Sequence, residues 1–391
     1  MEKKFELTEN YVVNELGTKL YQIKCTKTFE YAKKGRLGGY IEREENLSQE
    51  GDAWVYGDAW VYGDARVYGD ARVYGDARVY GTARVFDDAQ VYGTAWVYGD
   101  ALVYGNAQVF GDAQVFDDAR VYGNAQVSGD AWVYGDALVC GNAQVSGDAL
   151  VFGDAWVYGD ARVYGTARVY GTARVYGNAQ VFDTAQVSGD AQVYGNAQVF
   201  GDALVFDDAQ VSGDALVSGD ALVFGDAQVY GTARVYGTAR VYGTARVYGT
   251  ARVYGTAQVS GDAQVYGNAL VSGDAQVFGD AQVYGTAWVY GDARVYGTAR
   301  VFDDALVYGD ACLKSDADHC GFDCFGSSNR HTHAYLTRDN TVEITCGCFR
   351  GSIEEFEKKV KNTHAGTVYE KQYNAIINVI KIKFGLDETS K

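Results

Sequence analysis

The side chains that could do chemistry are few, and most lie near one end of the chain. All four histidines (His319, His331, His333 and His364) and five of the seven cysteines, from Cys312 to Cys348, fall within the last eighty residues. Cys320, Cys324, His331, His333, Cys346 and Cys348 have zinc-ligand types, since thiolates and imidazoles taken in pairs can complete a tetrahedral site. Cys320, Cys324, His331 and Cys346 are the quartet such a site would use. The spacing argues against it: Cys346-x-Cys348 and His331-x-His333 on strands point both members of each pair to one side. Reduced cysteines packed in an apolar core are the plainer reading, and no metal or cofactor is expected. An odd number of cysteines, two of them isolated at Cys25 and Cys140, does not form a secreted disulfide framework. A second candidate is a basic band. No acid occurs between Asp226 and Asp262, whereas Arg234, Arg240, Arg246 and Arg252 recur with Tyr236, Tyr242, Tyr248 and Tyr254 beside them. Guanidinium groups beside aromatic rings suit phosphates or nucleotides; duplication of a block of sequence would produce the same band with no ligand.

The element that positions the band is a repeat. From Gly51 to Lys314 the chain is forty-four consecutive six-residue units of the form GDAxVY without one insertion. Within each unit, Ala-x-Val-Tyr alternates with the period of two of a strand that has one buried face. Gly followed by Asp, Thr or Asn then supplies a turn. Asparagine reports how many units close a coil: Asn106, Asn124, Asn142, Asn178, Asn196 and Asn268 are separated by 18, 18, 36, 18 and 72 residues, all multiples of eighteen. Three strands therefore make a triangular coil, with Asn106, Asn124 and Asn142 stacked as an amide ladder. At eighteen residues per coil, 264 residues give 14.7 coils, or about 70 Å at the inter-strand spacing. The expected organisation is an N-terminal β cap (1–50), a solenoid (51–317) and a C-terminal α+β cap (318–391), because a bare stack of coils leaves unpaired edges. In the last segment, Thr332 to Thr337 and Thr341 to Cys346 read as a hairpin around Asp339-Asn340. Two helices follow it, opened by Ser352 with Glu355 and by Thr367 with Glu370.

Valine recurring every six residues with a small residue at a fixed offset resembles the hexapeptide repeat of the left-handed parallel β-helix family, whose best-known members are acyltransferases. The resemblance implies an all-β, left-handed parallel β-helix; the glycine falls two residues after the valine, a departure from the family pattern that bears on handedness. Gly38-Gly39-Tyr40 and Asn46-Leu47-Ser48 resemble the start of bacterial and prophage-borne hexapeptide proteins, some of them described as transferases. Cys346-Gly347-Cys348-Phe349-Arg350-Gly351 before a helix is similar to a C-terminal module of phage-encoded repeat proteins. Family acyltransferases use a histidine on the coil surface and loops protruding between coils. Here every histidine lies beyond the last intact unit and no loop protrudes, so no enzyme activity is expected.

Zero proline in 391 residues, where about 5% is usual, and 14% aromatics exclude both an ordinary enzyme composition and a disordered chain. No run is apolar enough to span a membrane, and the start lacks a signal-peptide core, so the expected location is the cytoplasm, which the phage resemblance makes that of a bacterial host. The net charge of −17 lies almost wholly in the repeat, where 31 Asp face 14 Arg and Lys314. Acidic corners with Tyr and Arg on the faces suit a protein partner, which the phage resemblance makes a bacterial host or defence protein to be inhibited or sequestered. The plainer reading of corner Asp is turn formation and solubility. A self-associating structural rod, a nucleotide-sequestering protein and a degenerate acyltransferase are the alternatives. Direct binding of nucleic acid is not expected of so acidic a surface.

Overall fold

The computed structural model describes residues 2–386. Met1 and residues 387–391, which the sequence reading includes in the two caps, lie outside the described residues. The chain divides into two compact units, Met1–Asp207 and Asp208–Lys391, and each contains parallel β-solenoid coils.

In the first unit, two-residue strands recur every six residues from Trp54–Val55 to Leu204–Val205. Each pairs in parallel with the strand eighteen residues on, as in Gln90↔Gln108, Trp96↔Gln114 and Leu102↔Arg120. Three sheets result, here called the Trp54, Trp60 and Arg66 faces after their first strands. The alanine and valine of each unit point inward and are wholly buried. Each valine so buried is worth on the order of 1.5 kcal/mol or more in transfer free energy. Glycine is favoured at the corners for two reasons. Gly93, for example, sits at φ +71, and a Cβ there would lie 2.9 Å from the backbone nitrogen of Gly111 in the next coil. Aspartate replaces it at Asp87, Asp117, Asp183 and Asp207, which all adopt the same left-handed conformation.

The coils begin with a row of carbonyls that have no preceding strand. Antiparallel strands Phe5–Val13, Lys19–Cys25 and Leu37–Ile41 close this edge by a different device on each face. On the Trp60 face, the backbone N–H groups of Tyr40 and Glu42 donate to Ala59 and Val61 at 2.9 and 3.1 Å. On the Arg66 face, Ser48 N–H donates to the Val67 carbonyl and the Asn46 amide to Ala65. On the Trp54 face the buried Lys4 ammonium reaches the carbonyls of Gly51 and Ala53 at 3.1 and 3.0 Å. Burial pushes the Lys4 pKa down to about 8, against the pull of Asp52 and Asp70. Trp54 is sealed beneath by edge-on contacts with Phe5 and Phe29.

The second unit has the same coils from Gln210–Val211 to Cys312–Leu313. Its faces are named by their last strands, Leu306, Cys312 and Arg300. The anticipated hairpin is present as Arg330–Leu336 and Val342–Cys346, but it is the centre of a four-stranded antiparallel sheet completed by His319–Phe325 and Phe349–Ser352. Two helices follow, α1 (Ile353–His364) and α2 (Val368–Lys383). Ser352 and Glu355 form the full reciprocal cap of α1. At α2, Thr367 accepts from Glu370 N–H, whereas the Glu370 carboxylate takes the N–H of Gly366. One side of the sheet (Ala334, Val342, Ile344, Cys346) packs with Phe356, Val360, Tyr373, Ile376, Ile377 and Ile380 of the helices.

Candidate binding surfaces

Because strands pair eighteen residues apart without offset, every outward position becomes a column. In the first unit Asn106 donates its amide to Asn124 at 3.1 Å, Asn124 to Asn142 at 3.0 Å, and Asn142 to the Asp160 carboxylate at 2.8 Å. Asn178 donates to Asn196 in the same way. Rings at the sixth position stack face to face. On the Trp60 face Tyr62, Tyr80, Tyr98, Phe116, Tyr134, Phe152 and Tyr170 form one column, with centroids 4.8–5.0 Å apart and planes within 3° of parallel. Partial burial pushes the phenols of Tyr62, Tyr80, Tyr98 and Tyr134 up, Tyr80 to about 12, where the flanking Tyr62 and Tyr98 add to the effect. A tyrosine hydroxyl also donates to the glutamine oxygen sixteen residues on, as from Tyr74 to Gln90 at 3.1 Å and Tyr98 to Gln114 at 3.2 Å.

The basic band is distributed over all three faces of the second unit. Arg234 and Arg252 are register neighbours on the Leu306 face, with Tyr236 and Tyr254 stacked at 5.0 Å. Arg240 lies between Leu222 and Gln258 on the Cys312 face, where Tyr242 stacks on Phe224. Arg246 lies between Gln228 and Gln264 on the Arg300 face, where Tyr248 stands between Tyr230 and Tyr266. All four guanidinium groups are exposed, and among the described residues none is in an ion pair. Only Arg234 and Arg252 could share one small ligand.

The cysteine–histidine set is split between the two sides of the terminal sheet. Cys320 and Cys346 pack on the helix side, Cys346 accepting from the Thr332 hydroxyl at 3.2 Å, while Cys324 is exposed. His331 is on the other side, paired through Nδ1 to the Asp323 carboxylate. Among the described residues, no three His, Cys, Asp or Glu side chains are grouped so as to hold a metal ion.

The histidine side of this sheet closes the last coil. The carbonyls of Leu306 and Tyr308 face outward with no further strand, and side chains supply the missing donors. His333 Nδ1 and the Thr345 hydroxyl both donate to Leu306 O at 3.2 Å, and the Tyr335 hydroxyl donates to Tyr308 O at 3.3 Å. This fixes the tautomer chain: His333 Nε2 must accept, and His319 Nδ1 donates to it at 3.0 Å. Burial of His333, reinforced by neighbouring His319, pushes its pKa down to about 3. On the Arg300 face, the Asp316 carboxylate accepts Arg300 N–H at 2.8 Å. Beside the Cys312 face, Arg338 N–H donates to Asp310 O at 2.9 Å. Lys4, Asp316, His333 and Tyr335 close the coil ends with their side chains, and the sequence singled out none of them for this role. Between the sheet and the helices lies a cleft of about 200 Å³ lined by Arg330, Phe349, Phe356, Lys359 and Tyr373 among others.

Stacked parallel strands closed by dedicated end modules define a β-solenoid repeat protein. Seven segments, residues 65–81, 113–129, 125–141, 143–159, 197–213, 209–225 and 263–279, match a family model described as the YdcK beta solenoid repeat, to which the coils are thus similar. Comparison with curated proteins gives no match. Among the described residues no helix is long and apolar enough to cross a membrane.

Proposed function

We propose that this chain is a non-catalytic binding scaffold whose acidic corners and aromatic faces engage a protein partner. In its most concrete form it is a phage- or prophage-encoded protein that inhibits or sequesters a host or defence protein in the bacterial cytoplasm. The observation that carries the reading is the in-register corner row of the first unit. Asp112, Asp130 and Asp148 follow one another at successive coils, and all three are exposed. The crowding around Asp130, then the charges of Asp112 and Asp148, raise its pKa. A row of like charges at about 4.8 Å intervals has an unfavourable self-energy that a cationic partner relieves. The spread of the basic band over three faces favours this reading over a nucleotide site.

The test is capture of a partner by the intact tagged chain, repeated with Asp112, Asp130 and Asp148 changed to Asn. One protein recovered in stoichiometric amount, released by about 0.5 M salt and weakened at least several-fold by the triple substitution, is the expected result, because contacts between exposed charges are screened. Undiminished capture by the triple variant, or recovery of the chain only as its own large assemblies, would favour the self-associating rod.

A further inference from the structure

Each ring column of the first unit is interrupted, by the single residues Cys140 on the Arg66 face and Ser188 on the Trp60 face, but only on the Trp54 face are two successive rings missing. On the Trp54 face, Tyr74, Tyr92 and Phe110 stack at 4.8–4.9 Å, and Tyr164, Phe182 and Phe200 stack at 4.8–5.0 Å. Between these triplets the two intervening positions are Ser128 and Ser146. Three strand spacings separate Phe110 from Tyr164, about 14 Å, so a notch the height of two missing rings opens between aromatic walls. The loss extends sideways. At eight positions among the described residues, including Tyr164 to Gln180 and Tyr176 to Gln192, a tyrosine hydroxyl donates to the glutamine sixteen residues on. Gln126 and Gln144, register neighbours beside the notch, face Phe110 and Ser128 instead, and neither has a side-chain hydrogen-bond partner among the described residues. Two residues beyond each serine stands an exposed acid, Asp130 or Asp148.

The chain itself shows what fills such a gap. On the Trp60 face, Arg78 occupies the rung between Trp60 and Trp96, its guanidinium 4.6 and 5.2 Å from the two rings. A guanidinium is planar, stacks on rings, and carries donors at its edge for amide and carboxylate oxygens. We propose that the notch receives arginine side chains of a protein partner, stacked between Phe110 and Tyr164, donating to Gln126 and Gln144 and facing the acidic row. The row disfavours anions, and a lysine ammonium cannot stack as a plane. This inference rests on the protein-binding reading above and names the chemistry of the partner.

The intact chain is titrated with a labelled peptide of alternating arginine and glycine, and with its lysine counterpart, at physiological salt. It is compared with Ser128→Tyr/Ser146→Tyr, which restores the residue most units carry and leaves the charge unchanged. The arginine peptide should bind at least about threefold tighter than the lysine peptide, and the filled variant should lose that preference. A second variant, Gln126→Leu/Gln144→Leu, uses the residue found at the same place in Leu102 and Leu138, and should weaken arginine binding alone. Equal affinity for the two peptides, an arginine preference that survives filling, or no binding at all would overturn the proposal. A partner captured in a salt-sensitive way would still stand in each case, so the two readings fail separately.

Discussion

At the scale of single residues, the first position of each unit is where conformation is decided. Asp117 adopts φ 56, a region that costs a residue with a Cβ about 1 kcal/mol. Asp87 has the same φ, but its carboxylate accepts the N–H of Gly105 in the next coil at 3.3 Å. Asp117→Gly is therefore expected to raise stability by about 1 kcal/mol, whereas Asp87→Gly should be close to neutral, because one gain offsets one lost hydrogen bond. Chemical denaturation of both variants checks this; a destabilised Asp117→Gly would mean that the carboxylate has a role its geometry does not show. Such a position is easy to find in the sequence, since aspartate replaces glycine against an invariant background. The hydrogen bond that separates the two aspartates was not legible there, because it depends on the neighbouring coil.

At the scale of elements, the terminal sheet is held to the last coil by groups that must remain neutral. His333 has its pKa pushed down to about 3 from an ordinary 6.5, and burial likewise lowers His319 beside it. An unfolded chain takes up a proton near pH 6.5 that folded His333 refuses. The stabilisation is thus complete above that pH and is lost progressively as pH falls toward 3. A proton on His333 Nε2 would also oppose the His319 N–H that points at it. The expected outcome is a loss of hydrogen-exchange protection in strand Arg330–Leu336 between pH 6 and 4, once rates are corrected for the slower intrinsic exchange at lower pH, with a flatter dependence in His333→Gln, whose amide can still donate to Leu306 O. Equal pH dependence in the two proteins would exclude His333 as the source. The strands around this histidine show the limits of sequence reading. Regular elements declare themselves by period, and α1 by Ser352 and Glu355. The outer strands His319–Phe325 and Phe349–Ser352 carry Gly321 and Gly351 and mix inward and outward polar residues, so alternation does not reveal them. Several of the bonds that close the coil ends join residues far apart in the chain, Lys4 to Ala53 and His333 to Leu306 among them, and no spacing rule reports such pairs.

At the scale of the whole molecule, the two ends are specified locally while the coils between them are nearly interchangeable. Fold class, coil period and the asparagine column could all be read from composition and spacing, because each recurs. The candidate binding surface could be read only in part: the acidic excess was plain, but the notch at Ser128 and Ser146 becomes visible only when the columns are assembled. Removing residues 105–122, one coil of the first unit, should leave both end modules intact. It should change the unfolding midpoint by only a few degrees, while a three-residue deletion at the same place should prevent cooperative folding, because it turns every later inward side chain out of step. Circular dichroism melts of the two deletions distinguish these outcomes.

The eighteen-residue register has a consequence for the gene. Six codons encode one strand and eighteen encode one turn, so slippage by eighteen codons between near-identical tracts during replication adds or removes one whole rung and keeps the reading frame. Each such event lengthens or shortens the columns of stacked side chains without disturbing the modules that cap them. The length of those columns is thus a quantity that copying errors can tune, one rung at a time.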